Sequence, residues 1–233
     1  MAWEIFEQAA SRYDAWYTTA RGQRVDLAER ALLRWLLRQF LNPRSVVEIG
    51  CGTGHFTTWL TTQGLHVIGL DRSPAMITEL HRREPRLPAI LGDAHHLPLP
   101  NDAVDVVIFI TTLEFLENPD RALGEAVRVA RQGLGLVVLN RWSVGGLSRR
   151  WGSQARGTLL GHARDYSACA LRRLLSTAAG QRLQGIRCTS TLFPDGLWRM
   201  HTRLPLGEVL GVAALLRERP HGLASNSLPS EDY

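Results

Sequence analysis

The 233-residue chain has no lysine, and all 27 of its basic residues are arginine. That absence rules out a P-loop, whose phosphates require a lysine. Cysteine is scarce. Cys51, Cys169 and Cys188 form an odd set with no paired spacing, which argues against a disulfide framework and for a reducing, cytoplasmic setting. No apolar run is long enough to span a bilayer. The N-terminal MAWEIFEQAASRYDAWY carries acids early and lacks the basic-then-apolar order of a secretory signal. Adjacent His95 and His96 invite a metal reading, but no cysteine or carboxylate stands nearby at usable ligand spacing, so no metal site is expected. The length suits one large α/β domain with a full core.

The most informative stretch is VVEIGCGTGHFT, Val46 to Thr57. Val46, Val47 and Ile49 form a short apolar strand. Gly50, Gly52 and Gly54 then form a turn in which a ligand can lie against bare backbone. Glu48 is an acid inside the strand, where an unpartnered carboxylate is costly, so it needs a partner or a ligand. The spacing G-C-G-T-G is not the G-x-G-x-x-G of a dinucleotide site, and an acid beside the turn opposes a pyrophosphate. It suits a ligand that carries positive charge.

Three further segments follow in order. VIGLDRSPAM, Val67 to Met76, is a strand ending in an acid. LGDAHHLPLPNDAVDVV spans Leu91 to Val107, and IFITTLEFLENPDRAL spans Ile108 to Leu123. Together with EIGCGTG, Glu48 to Gly54, these motifs resemble class I S-adenosylmethionine (SAM)-dependent methyltransferases. The similarity is to the small-molecule group that includes ubiquinone/menaquinone and malonyl-acyl-carrier methyltransferases, and it covers about Val46 to Leu139. It implies a Rossmann-like, doubly wound α/β fold. Its seven-stranded sheet is mostly parallel, with one antiparallel strand near the C-terminus.

The resemblance also implies a SAM site, with S-adenosylhomocysteine (SAH) as product. Glu48, Gly50, Cys51, Gly52, Thr53, Gly54 and Phe56 belong to its glycine loop. Asp71 accepts the ribose hydroxyls, with Arg72 and Met76 beside the adenosine. Asp71 can also be read as a helix N-cap, because Ser73-Pro74 looks like a helix start. Asp93 accepts from the adenine amine and the Ala94 amide donates to the ring, while His95 edges the pocket. A bare turn aspartate is the plainer reading of Asp93. Ile110 and Thr111 meet the methionine end. In the N-terminal FEQAASRYDAWYTTARG, Tyr13, Trp16 and Tyr17 can close over that end, with Tyr17 kept as a site residue; packing of an amphipathic helix explains them as well.

Strand and helix patterns alternate along the chain. Strands are expected near Val46–Ile49, His66–Leu70, Ala89–Gly92, Asp105–Ile110, Gly135–Asn140, Ile186–Phe193 and Gly211–Arg217. Helices are expected near Arg24–Phe40, Thr57–Gln63, Pro74–Arg82, Pro119–Ala130 and Ala168–Ala178. Such alternation gives a parallel sheet with ligands outside the carboxyl ends of its strands. The expected divisions are an N-terminal helical cap (1–41), a SAM-binding core (42–140), a basic lid (141–167), the C-terminal part of the domain (168–219) and a flexible tail (220–233).

Net charge is +5. From Arg141 to Arg187 there are nine arginines and one acid, Asp165. Such a stretch can attract an anionic or carrier-bound acceptor, or simply be a solvated surface. Trp142, Trp151 and Tyr166 are too thin an aromatic interleaving for a nucleic-acid binder. The expected reaction is methyl transfer to an O, C or S atom of a small acceptor. A lysine base of the catechol type is excluded by composition. Glu114, His162 and Tyr166 are the candidate catalytic groups, although Glu114 also reads as a solvated acid at a helix start. Two rival classes remain: a non-catalytic module that binds SAM or a partner, and a nicotinamide-dependent oxidoreductase.

Overall fold

The computed structural model describes residues 3–143, 163–192 and 206–219. Its centre is a seven-stranded sheet: β1 (Ser45–Ile49), β2 (His66–Asp71), β3 (Ala89–Leu91), β4 (Val104–Ile110), β5 (Ala130–Leu139), β6 (Leu183–Thr191) and β7 (Val209–Leu216). The spatial order is β3-β2-β1-β4-β5-β7-β6. The first five strands pair in parallel, and β7 runs antiparallel to both β5 and β6. This is the expected architecture.

β1 and β4 are apolar almost throughout because helices cover both faces. On one face lie α2 (Ala20–Leu37) and α3 (His55–Thr62), whose Leu32, Leu33, Leu36, Phe56 and Leu60 pack on Val46, Val106, Ile108 and Val137. On the other lie α5 (Pro119–Val129) and α6 (Ala168–Ala179), whose Leu123, Ala126, Leu171 and Leu175 pack on Val47, Val107, Phe109 and Leu136. α4 (Pro74–Arg83) follows β2. α1 (Trp3–Tyr13) and a short 3-10 turn, Asp14–Thr18, lead into α2.

Some boundaries differ from the sequence reading. β5 starts at Ala130, not Gly135, because Arg131-Gln132-Gly133 reads as a turn while in fact running beside β4. α2 starts at Ala20, where the Thr19 hydroxyl caps it by accepting from Gly22 N–H at 3.0 Å. Most of the expected lid, 144–162, and the tail from 220 lie outside the described residues. The ends of the lid segment meet at the sheet. Tyr166 N–H donates to Leu139 O at 3.0 Å, and Arg141 N–H to Tyr166 O at 2.9 Å.

β5 and β7 approach closely at Gly133, where a Cβ would stand 2.1 Å from the Ala214 carbonyl oxygen. Backbone cannot yield there as a side chain can. Gly133→Ala is therefore expected to cost about 1–3 kcal/mol in urea denaturation. Gly124→Ala, on α5 with nothing within 4 Å of the new methyl, is expected to add roughly 0.5–1 kcal/mol. Equal effects at the two positions would contradict this packing.

Candidate functional site

After Ile49 the chain turns through Gly50, Cys51, Gly52, Thr53 and Gly54 into α3. The three glycines have φ of 71°, 54° and 83°, a region that side chains other than glycine's rarely occupy. The turn is pinned to the end of β2. Gly50 and Cys51 N–H both donate to Leu70 O, at 2.7 and 3.1 Å, and Gly52 N–H donates to Asp71 Oδ2 at 2.8 Å.

Asp71 is thus oriented by its own backbone surroundings. Its Oδ1 accepts from Ser73 N–H at 2.9 Å. Ser73, not Asp71, caps α4, accepting from Met76 N–H at 3.1 Å. Burial raises the Asp71 pKa above the ordinary range, while the backbone N–H groups of Ser73, Gly52 and Arg72 oppose that rise.

Asp93 follows β3. Burial would raise its pKa, but bonds from His95 N–H (3.0 Å) and the His95 ring (2.6 Å) bring it below the ordinary value. Both of those bonds use Oδ1. His95 Nε2 accepts from Asn118 N–H at 3.3 Å, so in the neutral ring the proton sits on Nδ1, toward Asp93. His96 turns away, to Arg121.

These groups share one open cleft of about 840 Å³, its mouth included. Of the residues singled out in the sequence, Gly50, Gly52, Asp71, Arg72, Met76, Asp93, Ala94, His95, Ile110 and Thr111 line it. Thr111 has φ of 49°, a strained value for a β-branched residue at the lip of a site. Sequence reading missed Ser73, Thr112, Phe115, Leu116 and Glu117 on its walls, and Phe6 on its roof. Phe6 stands two helical turns before Tyr13, which also lines the cleft, and rests edge-on against Phe115 at 4.8 Å. That seven-residue spacing on α1 was the readable signal.

The other expected residues stand behind the wall. Glu48 is buried and accepts from Thr57 Oγ1 at 2.6 Å, so its partner is a hydroxyl of α3. Burial pushes its pKa up to about 8. Thr53 donates to Asp14 Oδ1 at 2.7 Å, Phe56 is in the core, and Gly54 closes the turn against Leu80. Cys51 is buried, and burial holds its thiol well above the ordinary range, which suits packing and not nucleophilic use. Tyr17 lies one layer back, stacked on His55 at 3.8 Å and sharing a hydroxyl hydrogen bond with Tyr13.

The candidate catalytic groups fare differently. Glu114 is not a solvated acid. It is 1% exposed, and its Oε1 accepts from Leu139 N–H at 2.6 Å. Tyr166 is in the core, its hydroxyl donating to Leu113 O at 3.1 Å and burial raising its pKa to about 12. Neither lines the cleft, and His162 lies outside the described residues.

Residues 47–138 match the family model described as a methyltransferase domain. An uncharacterized methyltransferase of Mycobacterium tuberculosis is 40% identical over 96 residues, 40% of this chain and 39% of that protein. A malonyl-[acyl-carrier protein] O-methyltransferase of Pectobacterium atrosepticum is 31% identical over 130 residues, 53% of this chain and 51% of that protein. The chain thus matches about two fifths to one half of these relatives' length. The solved structure of a SAM-dependent methyltransferase from Thermotoga maritima, described as a possible histamine N-methyltransferase, superposes with a TM-score of 0.74 at 25% identity. The match covers 92% of this chain and 99% of that one. Over residues 47–138 the chain carries a methyltransferase domain, and it is similar to the class I SAM-dependent methyltransferases. Its glycine turn, Asp71 and Asp93 stand at the ends of β1, β2 and β3, the carboxyl edge where sheets of this kind bind ligands.

The buried acids carry a stability signature. Glu48 and Glu29 of α2 both have pKa values pushed up to about 8 by burial, against an ordinary 4.5. A carboxyl with a raised native pKa stays protonated in the folded chain while the unfolded chain ionises. Stability should therefore fall as pH rises from about 4.5 to about 8, and level off above. Glu48→Gln should flatten that slope, with a difference of roughly 2 kcal/mol or more between pH 5 and 8 in chemical denaturation. A Glu48→Gln profile parallel to that of the parent chain would contradict it.

Proposed function

We propose that this chain binds SAM in the cleft and transfers its methyl group to an O, C or S atom of a small acceptor, releasing SAH. The observation that carries this reading is the posture of Asp71. Backbone N–H groups of Gly52 and Ser73 fix its carboxylate on the cleft wall, and its remaining acceptor capacity serves the ribose hydroxyls. Asp93 keeps Oδ2 clear of His95 for the adenine amine, and Ala94 lies beside it. Gly50, Ile110 and Thr111 lie at the opposite end of the cleft, where the methionine portion extends under Phe6 and Tyr13.

The bound cofactor supplies a methyl group already activated on a sulfonium. What remains for the protein is alignment: an acceptor held in line with the methyl and sulfur, with water excluded. Phe6, Tyr13 and Phe115 form the apolar cover that such exclusion calls for. The relatives that methylate malonyl-acyl-carrier protein favour a carrier-bound acceptor as one option. A nicotinamide dinucleotide is disfavoured, because its pyrophosphate would face Asp71 across a turn lacking the third glycine of that motif.

Calorimetric titration with SAH, with NADH as control, tests the reading. SAH alone should bind, and Asp71→Ala should weaken it by about 2–4 kcal/mol through loss of two charge-assisted bonds. Unchanged affinity in Asp71→Ala would remove the ribose assignment. Binding of SAH without methyl transfer to any member of an alcohol, phenol, thiol and carboxylate screen would favour a non-catalytic binding module.

A further inference from the structure

His95 lines the cleft, yet both of its ring nitrogens are committed within the protein. Nε2 lies 3.3 Å from Asn118 N, and Nδ1 lies 2.6 Å from Asp93 Oδ1. A backbone N–H can only donate, so the Nε2 lone pair is taken and the ring proton stands on Nδ1, donated to Asp93. The ring has no hydrogen bond left for a ligand, and its side chain is only 11% exposed. What it does for a ligand it does through Asp93.

The first turn of α5 holds His95 in place. Asn118 caps that helix, its side chain accepting from Arg121 N–H at 3.1 Å. Asn118 N–H then holds the His95 ring, and Arg121 Nε donates to the His95 carbonyl at 3.1 Å. His95 in turn grips one oxygen of Asp93 with two donors, its ring and its own N–H at 3.0 Å. Those two bonds set the rotation of the carboxylate. Among the described residues no hydrogen bond reaches Oδ2, and the Asp93 side chain is 35% exposed on the cleft wall. Without the ring, one backbone bond would leave this carboxylate free to turn toward solvent. An acceptor fixed in advance meets its donor without that ordering cost.

We propose that His95 is a positioning residue for base recognition, which holds Asp93 so that Oδ2 meets the exocyclic amine of adenine. The inference rests on the SAM reading above, and it deepens it: selection of an aminopurine depends on a clamp that runs from α5 through His95 to Asp93. The role is separable from packing. A ring that merely filled the wall would serve any purine equally, whereas one that orients Asp93 matters only to ligands that carry the amine.

The test is calorimetric titration of the full chain with two probes, SAH and its analogue with unsubstituted purine in place of adenine. The parent chain should prefer SAH by about tenfold or more, as a hydrogen bond to a charged group gives. Asparagine carries its amide nitrogen at the δ position, where it can replace Nδ1, so His95→Asn should keep that preference. Glutamine carries its polar atoms one bond further, at the place of Nε2. His95→Gln should bring the preference below about threefold, weakening SAH while the purine analogue changes by less than about twofold. His95→Leu, which also lacks the δ donor, replaces His95→Gln should that chain not fold. Equal preference in His95→Asn and His95→Gln, or a parallel loss of both probes in His95→Gln, would overturn the assignment while SAH binding stands. A parent chain that binds both probes alike would overturn it together with the adenine role of Asp93. Failure of the parent chain to bind SAH would instead overturn the cofactor reading, and this one with it.

Discussion

The site depends on one close approach: the turn after β1 must run within hydrogen-bonding distance of the end of β2. Leu70 O accepts two N–H groups from that turn, and Asp71 accepts a third. A backbone can make those bonds there only with glycine at the positive-φ positions. At Gly50 the restriction is doubled, since a Cβ would stand 2.2 Å from Thr112 Cγ2. From this contact follow the floor of the cleft, the orientation of Asp71 and the start of α3. A change at the turn would thus alter ligand recognition and packing together.

The roof is tied to the same turn by acids of the N-terminal segment. Glu7 accepts from Ser73 Oγ and from Ala75 N–H, adding a second cap to α4. Asp14 joins Thr53 of the glycine turn to Arg83 at the end of α4. Tyr17 stacks on His55, which Asp26 holds in turn. The exposed ion pair contributes little alone. Bonds from Glu7 to helix N–H groups that would otherwise lack partners contribute more. Phe6 and Tyr13 are thereby held over the cleft by contacts to the elements that form its floor.

Much of this was legible in the chain, because the signals were local. Glycine spacing, a strand ending in Asp71, and Gly92-Asp93-Ala94 each sit at the end of a short apolar run, and the parallel pairing of the first five strands follows from alternation with helices. What stayed hidden depends on tertiary context. Glu114 looks solvated because it follows a strand and precedes a polar run, yet its carboxylate is folded back onto Leu139 N–H. Tyr166 sits in a basic, irregular stretch but is drawn into the core by its two backbone bonds to the end of β5. Glu29 merely interrupts an apolar helix face in sequence, yet the packing of α2 on the sheet buries it. The glycines of β5 hid its first half, since a residue chosen for close strand approach reads as a turn.

The most direct measurement is a crystal structure of the chain with SAH. The ribose hydroxyls should lie on the two oxygens of Asp71, the adenine should lie between Asp93–Ala94 and Leu116, and the methionine end should run under Tyr13 toward Ile110. A ligand bound elsewhere, or one in the cleft whose ribose stands clear of Asp71, would contradict the central claim that this turn and this acid were built to hold a nucleoside.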